Sequence, residues 1–300
     1  MRLVYLGTPA DAVPSLRALV LAGHEIPFVV TQPDRRRGRG GALVASPVKE
    51  AALELGLDVE TPERATEIAD KLAASGAEVG VVVAFGQLLP QSLLDIPPLG
   101  FVNVHFSLLP RWRGAAPVER AMLAGDRETG VCIMALEKGL DTGPVFARAV
   151  VPIGDSTTAG ELRRELVAVG TDLLVETLPK LRELTPEPQG EGHTYASRLE
   201  VDEFVLDWSR PASELALLVR AGNPRPGAFT AVNGKRLKVW GAHAADGSGS
   251  SGSPGALLAG AQVATGDGVL VLEEVQPEGK ARMPGPAWAA GVRGDVVLGS

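Results

Sequence analysis

The chain is 300 residues long, 45% hydrophobic and 22% charged, with a formal net charge of −7. That is ordinary globular material, long enough for two domains, and its acidic balance argues against an indiscriminate nucleic-acid binder. No apolar run resembles a secretory leader or reaches the ~18 residues of a membrane span, and the single cysteine, Cys132, leaves no disulfide and no cysteine-held zinc site, so a cytoplasmic protein is expected.

The charge is unevenly placed. Residues 1–205 carry 20 Lys/Arg against 28 Asp/Glu, net −8, whereas residues 206–300 carry 9 against 8, net +1. Within the acidic part, Arg35, Arg36, Arg37 and Arg39 crowd one glycine-rich loop, and Arg111 and Arg113 form a second basic group. A charge run usually marks a solvated face, so position decides what these arginines do.

In chain order, residues 3–6 read as a buried strand that Gly7-Thr8-Pro9 turns into a helix over about 11–22, ended by Gly23. The unit is that of a nucleotide-binding fold, but no second glycine follows Gly7, so the dinucleotide fingerprint is absent. Residues 26–31 form a second strand, followed by Gln32-Pro33-Asp34 and the Arg/Gly loop to Ala45. Ser46 before Pro47 is an N-cap and a favoured first helical residue, predicting a helix to about Leu55. A further amphipathic helix is expected over 63–74.

Residues 78–85, EVGVVVAF, are the near-continuous apolar run of a central parallel strand. The run breaks at Gly86-Gln87. Its free backbone groups suit a heterocycle flanked by Phe85, Leu88 and Leu89, and the stretch reads equally well as a plain strand-to-helix loop.

Residues 101–105 form the strand on which the functional reading rests. A period of two puts Asn103 and His105 on one face and Val102 and Val104 on the other. The pattern stops at Ser107. Leu108, Leu109, Pro110 and Arg111-Trp112-Arg113-Gly114 then make a rigid basic loop before a helix over 115–124. A histidine on a strand is most often structural. Here a carboxylate is available in Leu140-Asp141-Thr142-Gly143, between a strand at 131–136 holding a buried Cys132 and another at 145–151. Amide, imidazole and carboxylate at the ends of strands suit acyl transfer, with Asn103 and a protonated His105 donating to a developing oxyanion.

A long helix is expected over 158–183, capped by Ser156 or Thr157. Alternating strands and helices to that point imply a Rossmann-like, doubly wound, mostly parallel sheet. Residues 185–192 then read as a Pro/Gly linker with a docking end at 195–204, and a helix follows at about 212–221. Short strands at 228–232, 236–242, 257–263 and 269–275, with Asn233-Gly234 as a hairpin signal, predict a small OB-like β-barrel with a flexible loop at 247–255. The expected domains are 1–184, a linker at 185–205, and 206–300.

These residues bring a family into view. Gln32-Pro33-Asp34 with Gly38-Arg39-Gly40 and Ser46-Pro47-Val48-Lys49 belong to its pattern, as do Asn103-Val104-His105, Ser107 to Pro110, Trp112 to Pro117 and Leu140 to Gly143. Asp207-Trp208, Arg220-Ala221-Gly222-Asn223-Pro224, Lys238-Val239-Trp240, Thr265 to Gly268 and Gln276 to Lys280 continue it. Across nearly its whole length the chain resembles the bacterial methionyl-tRNA formyltransferases. The first half alone indicates only the wider formyltetrahydrofolate-dependent transferases.

The resemblance implies formyl transfer from 10-formyltetrahydrofolate to the α-amine of methionyl initiator tRNA. That chemistry requires no metal, and with no exposed repeat or heptad in the sequence a monomer is expected. It implies that Asn103, His105 and Asp141 are the catalytic trio. Ser107, Leu108, Leu109 and Pro110 fall on residues used against the folate, to which the break at Phe85, Gly86, Gln87 and Leu88 is added. Arg35, Arg36, Arg37, Gly38, Arg39, Gly40 and Gly41 fall on the loop that reaches the tRNA acceptor end. The C-terminal domain corresponds to a tRNA-binding one. Phe106 stands where a small residue is expected, which would narrow the pocket, and Arg35 to Arg37 are more basic than usual, which would tighten phosphate contact. Trp112 is expected to pack beneath the strand.

A sister formyltransferase for a nucleotide sugar or glycinamide ribonucleotide would need neither the barrel nor the arginine loop. A non-catalytic nucleic-acid module would leave the trio idle, and a nicotinamide dehydrogenase would need the missing glycines.

Overall fold

A computed structural model describes residues 1–37, 41–245 and 252–299 and divides the chain into two compact units. The first holds residues 1–117, 128–152 and 164–196; the second holds 118–127, 153–163 and 197–300.

The first unit is built on a seven-stranded sheet. Its spatial order is Val145–Pro152, Glu128–Ala135, Phe101–His105, Val79–Val83, Leu3–Gly7, Val29–Val30, Val59–Glu60. The last five run parallel, and Glu128–Ala135 is antiparallel to both its neighbours. All five residues of Leu3–Gly7, Val79–Val83 and Phe101–His105 are buried, as apolar runs covered on both faces require. Gly80 leaves no room for a side chain, because a Cβ there would lie 2.1 Å from the Phe101 ring.

From Leu3–Gly7 the chain moves outward through Val29–Val30 and Val59–Glu60, then returns to Val79–Val83 on the other side. That reversal opens a crevice at the carboxyl ends of the strands. Thr8 Oγ1 donates across it to the Phe85 carbonyl at 2.8 Å, and Gln32 Nε2 donates to the same oxygen at 3.3 Å.

Several elements differ from the sequence reading. The expected strand at 26–31 pairs only over Val29–Val30, and the helix expected at 63–74 is a 3₁₀ turn, Ala65–Ile68, followed by Ala69–Ser75. Ser46 caps as expected, accepting the Lys49 N–H at 3.0 Å. The long helix is Ala159–Thr177, and its cap is Thr158 rather than Ser156 or Thr157. Thr158 and Glu161 exchange a capping box, Thr158 N–H to Glu161 Oε2 at 2.9 Å and Glu161 N–H to Thr158 Oγ1 at 3.4 Å.

The stretch with linker composition is fastened to the first unit. Val145 and Glu187 exchange both backbone hydrogen bonds, at 2.8 and 2.9 Å, and Tyr195–Ala196 pairs in parallel with Arg113–Gly114.

The second unit is an OB-like antiparallel sheet ordered Ala228–Val232, Lys235–Ala244, Val269–Pro277, Gln262–Ala264, with Met283–Pro284 also on Val269–Pro277. The first and last strands of that order share no ladder among the described residues. Helix Ala212–Gly222 packs on Lys235–Ala244 and buries Leu215, Leu218, Val219 and Gly222, the spacing of a single helical face. Buried Trp208 donates its indole N–H to Thr230 Oγ1 at 3.0 Å. A cavity of about 620 Å³ in this unit is lined by Trp208, Phe229, Lys235 and Arg236, among others, and by none of the residues expected to be catalytic.

Candidate active site

Strand Phe101–His105 ends in polar chemistry. Asn103 is 9% exposed and His105 5%. Register places Asn103 opposite Met134 and His105 opposite Cys132. On the other face, Val104 and Phe106 lie against Gly170, where a Cβ would come within 3.1 Å of Val104 and 3.5 Å of Phe106. Phe106 therefore packs under the long helix. It does not narrow a pocket beside His105, which corrects the sequence reading.

His105 Nε2 lies 2.9 Å from the Trp112 carbonyl oxygen. A carbonyl only accepts, so Nε2 carries the proton and donates. The other nitrogen, Nδ1, is 3.7 Å from Asp141 Oδ2, and the two side chains are 6% and 13% exposed. A donor from His105 to substrate must therefore be Nδ1–H. Asp141 Oδ2 also accepts the Gly114 N–H at 2.9 Å. No hydrogen bond engages the Asn103 amide among the described residues. The residue is largely buried while its amide atoms stay open, as a donor that faces a substrate requires.

The backbone around the site is strained. Ala84, Trp112 and Asp141 have φ of 48°, 62° and 51°, in the left-handed region that costs an L-residue roughly 1–2 kcal/mol. Such residues persist only where neighbours over-determine them, and they cluster at working sites. Gly143 is required by close approach, since a Cβ there would sit 1.9 Å from the Ala135 carbonyl.

The segment expected against a folate divides by exposure. Ser107 is buried and donates to the Arg111 carbonyl at 2.6 Å; Leu109 is buried with Cys132, Met134 and Val145; Leu108 and Pro110 are half-buried. At the break after Val79–Val83, the Phe85 ring lies in the core with Val4, Leu6 and Phe28, a burial that contributes about 1.5–3 kcal/mol. Phe85 thus offers a ligand no ring face, and its carbonyl is already taken. Gly86, with φ 88°, and Leu88, 82% exposed, remain open, while Gln87 Nε2 donates to the Pro62 carbonyl at 3.2 Å.

The glycine-rich loop has paired flanks. Arg35–Arg37 and Ala42–Val44 form an antiparallel hairpin, with Arg35 and Arg36 exposed and Arg36 Nη1 donating to the Gly41 carbonyl at 3.1 Å. Gly38, Arg39 and Gly40 lie outside the described residues. At its base, Lys49 Nζ pairs with Asp34 at 2.8 Å. Trp112 is half-buried, with the Arg111 guanidinium 4.5 Å from its ring centroid.

Sequence reasoning missed Gln189. Its Oε1 accepts from Arg113 Nε and Nη2 at 3.0 and 2.8 Å, and its Nε2 donates to the Asp141 and Gly143 carbonyls at 2.8 and 2.7 Å. Thr194 Oγ1 likewise accepts the Trp112 N–H at 2.9 Å. The only signal was a polar side chain inside a Pro/Gly stretch, which composition assigns to solvent. Among the described residues, no group of three or more His, Cys, Asp or Glu is placed to hold a metal, and no helix is long and apolar enough to cross a membrane.

A Rossmann-like sheet with an amide, an imidazole and a carboxylate at its strand ends, followed by an OB-like sheet, defines a two-part group-transfer enzyme. The model of the formyl transferase family matches residues 1–178, and that of the formyl transferase C-terminal domain matches residues 198–293. A methionyl-tRNA formyltransferase from Symbiobacterium thermophilum is 48% identical over 311 aligned residues, covering 100% of this chain and 94% of that protein. One from Dinoroseobacter shibae is 50% identical, covering 93% and 94%. The fold is also that of an N-formyltransferase from Helicobacter canadensis solved with folinic acid and dTDP-3-aminofucose, with a TM-score of 0.66 at 16% identity over 90% of this chain and 98% of that one. The chain belongs to the formyl transferase family and, within it, to the methionyl-tRNA formyltransferases.

Proposed function

We propose that the protein transfers the formyl group of 10-formyltetrahydrofolate to the α-amine of methionyl initiator tRNA, using Asn103, His105 and Asp141. The observation that carries this reading is the Asn103 amide, unengaged among the described residues and on the same strand face as His105, with Asp141 3.7 Å from the imidazole. The folate supplies an activated formyl carbon when bound, and an amine attacking it leaves a negatively charged oxygen.

Asn103 donates its side-chain N–H to that oxygen, a contribution of roughly 3–4 kcal/mol for a well-aimed donor. His105 is held by Trp112 through Nε2 and presents Nδ1 toward Asp141. Asp141 accepts from Gly114 and keeps negative charge beside the imidazole. When the oxyanion collapses, the bond between the formyl carbon and the folate nitrogen would break, and a proton taken up at that nitrogen would balance the one the amine loses, so that tetrahydrofolate leaves.

The folate side comprises Ser107, Leu108, Leu109 and Pro110, with the open groups of Gly86 and Leu88 and with Gln87, whose Nε2 is held by the Pro62 carbonyl. The exposed Leu88 beside the exposed backbone of Gly86 suits a planar polar ring. The hairpin bearing Arg35, Arg36 and Arg37, together with Arg39 of the same sequence stretch, serves the RNA terminus, where guanidinium groups suit phosphate. Residues 1–184 form the catalytic domain, 185–205 join it to the next, and 206–300 form the RNA-binding domain of a cytoplasmic monomer that requires no metal.

The test is to incubate the protein with labelled 10-formyltetrahydrofolate and, separately, charged initiator tRNA, charged elongator tRNA, free methionine and an amino sugar nucleotide. Label confined to the initiator product is the expected result. Equal labelling of free methionine or the sugar nucleotide would count against it.

A further inference from the structure

We propose that Gln189 is a positioning residue for the transfer, its side-chain amide clamping the Asp141 loop against Arg113. The inference rests on the reading of Asp141 as catalytic and adds a residue to it.

The amide uses its full capacity. Two guanidinium N–H groups of Arg113 donate to Oε1, at 3.0 and 2.8 Å, and Nε2 donates to the carbonyls of Asp141 and Gly143, at 2.8 and 2.7 Å. Guanidinium only donates and carbonyls only accept, so the amide has a single orientation and no other side chain of its size supplies both arms. Asp141 is then gripped at two points, its carboxylate by the Gly114 N–H at 2.9 Å and its carbonyl by Gln189. Residues 113 and 114 are adjacent, so one short strand holds both ends of the aspartate.

That double grip falls where the backbone needs it. Asp141 has φ 51°, a conformation a non-glycine residue keeps only under external constraint. The clamp has its own anchors: Glu187 exchanges two backbone hydrogen bonds with Val145, and Thr194 and Ala196 flank the Trp112 to Ala116 segment through N–H bonds to their oxygens. The segment with linker composition thus reaches the carboxylate through one side chain. A carboxylate misplaced by about 1 Å forfeits roughly a hundredfold in rate, which sets the scale.

The experiment compares the full chain with Gln189→Met, which keeps the volume and removes all four hydrogen bonds, and with Gln189→Glu, which keeps the Arg113 contact and sets an acceptor against two carbonyls. Each is also built on Asp141→Ala. The readouts are kcat and KM for both substrates, with turnover normalised to folded protein and Tm recorded. Both variants are expected to lose roughly tenfold to a hundredfold in kcat, with KM little changed, and the loss is expected to vanish on the Asp141→Ala background. Near-normal kcat in Q189M and Q189E beside a crippled D141A overturns the positioning role alone. The same proportional loss with and without Asp141 overturns it too, since a purely structural part does not depend on that carboxylate. Normal turnover in D141A removes the catalytic reading and this inference with it. Where Q189M lowers Tm, Q189E is read by the same criteria.

Discussion

His105 Nδ1 stands 3.7 Å from Asp141 Oδ2, within ion-pair range and beyond a direct hydrogen bond. The same carboxylate oxygen is already held by the Gly114 N–H, and the imidazole is held from its far side by the Trp112 carbonyl. Each partner is therefore fixed by backbone, and the spacing between them is set from both sides.

A first consequence concerns Asp141→Asn. The new side-chain oxygen still accepts from Gly114, so Tm is expected to change little, while the lost negative charge lowers kcat by at least about a hundredfold. Calorimetry and steady-state kinetics on the same preparation check both halves, and an unchanged kcat contradicts the assigned role.

The arginine hairpin predicts a different pattern. Arg35→Ala, Arg36→Ala and Arg39→Ala are expected to raise KM for the charged tRNA, leave KM for the folate unchanged, and reduce the salt slope of tRNA binding by about one for each phosphate no longer neutralised. A salt slope equal to that of the unmodified protein in all three speaks against phosphate binding by this hairpin.

Gly143→Ala tests the close approach under the Asp141 loop. Its Cβ would lie 1.9 Å from the Ala135 carbonyl oxygen, so the loop must shift. A loss of about 2–4 kcal/mol is expected, seen as a fall in Tm of several degrees, with lower turnover. An alanine variant as stable as the parent would mean the loop is freer than its contacts imply.

In the second unit, Arg120 hydrogen-bonds both oxygens of Glu203, at 2.6 and 3.0 Å, and that contact foremost lowers the carboxyl below its usual range. A carboxylate with a depressed folded value adds stability above its unfolded value, near about 4.3, and that stability is lost as pH falls through the depressed value. Glu203→Gln is expected to lower Tm modestly near neutrality, where that stability is fully present, and to flatten the acid side of the Tm–pH curve below about pH 4.5, where the two proteins converge. The side chain is about a third exposed, which keeps the effect modest. Parallel curves for the two proteins refute it.

How far the sequence leads depends on which physical signal each element uses. Val79–Val83 was readable because a strand covered on both faces is a near-continuous apolar run, and Phe101–His105 because a period of two separates Asn103 and His105 from Val102 and Val104. The Ser46 cap was readable from its neighbour Pro47. The cap at Thr158 was missed because three consecutive hydroxyl residues compete there, and only the reach of Glu161 decides among them. The split of 63–74 into a 3₁₀ turn and a helix leaves the apolar pattern almost unchanged. Gln189 lay beyond reach for another reason: its partners stand 46 to 76 residues away, and nothing local reports a contact that only the fold creates. Phe106 shows the converse, where alternation along the strand already placed its ring on the face opposite His105.

The most direct measurement is single-turnover formyl transfer to methionyl initiator tRNA by Asn103→Ala, His105→Ala and Asp141→Ala, each with its Tm. All three are expected to fall at least about a hundredfold in rate while remaining folded. A folded variant of any one of them that transfers the formyl group at the parent rate would contradict a site built on these three side chains.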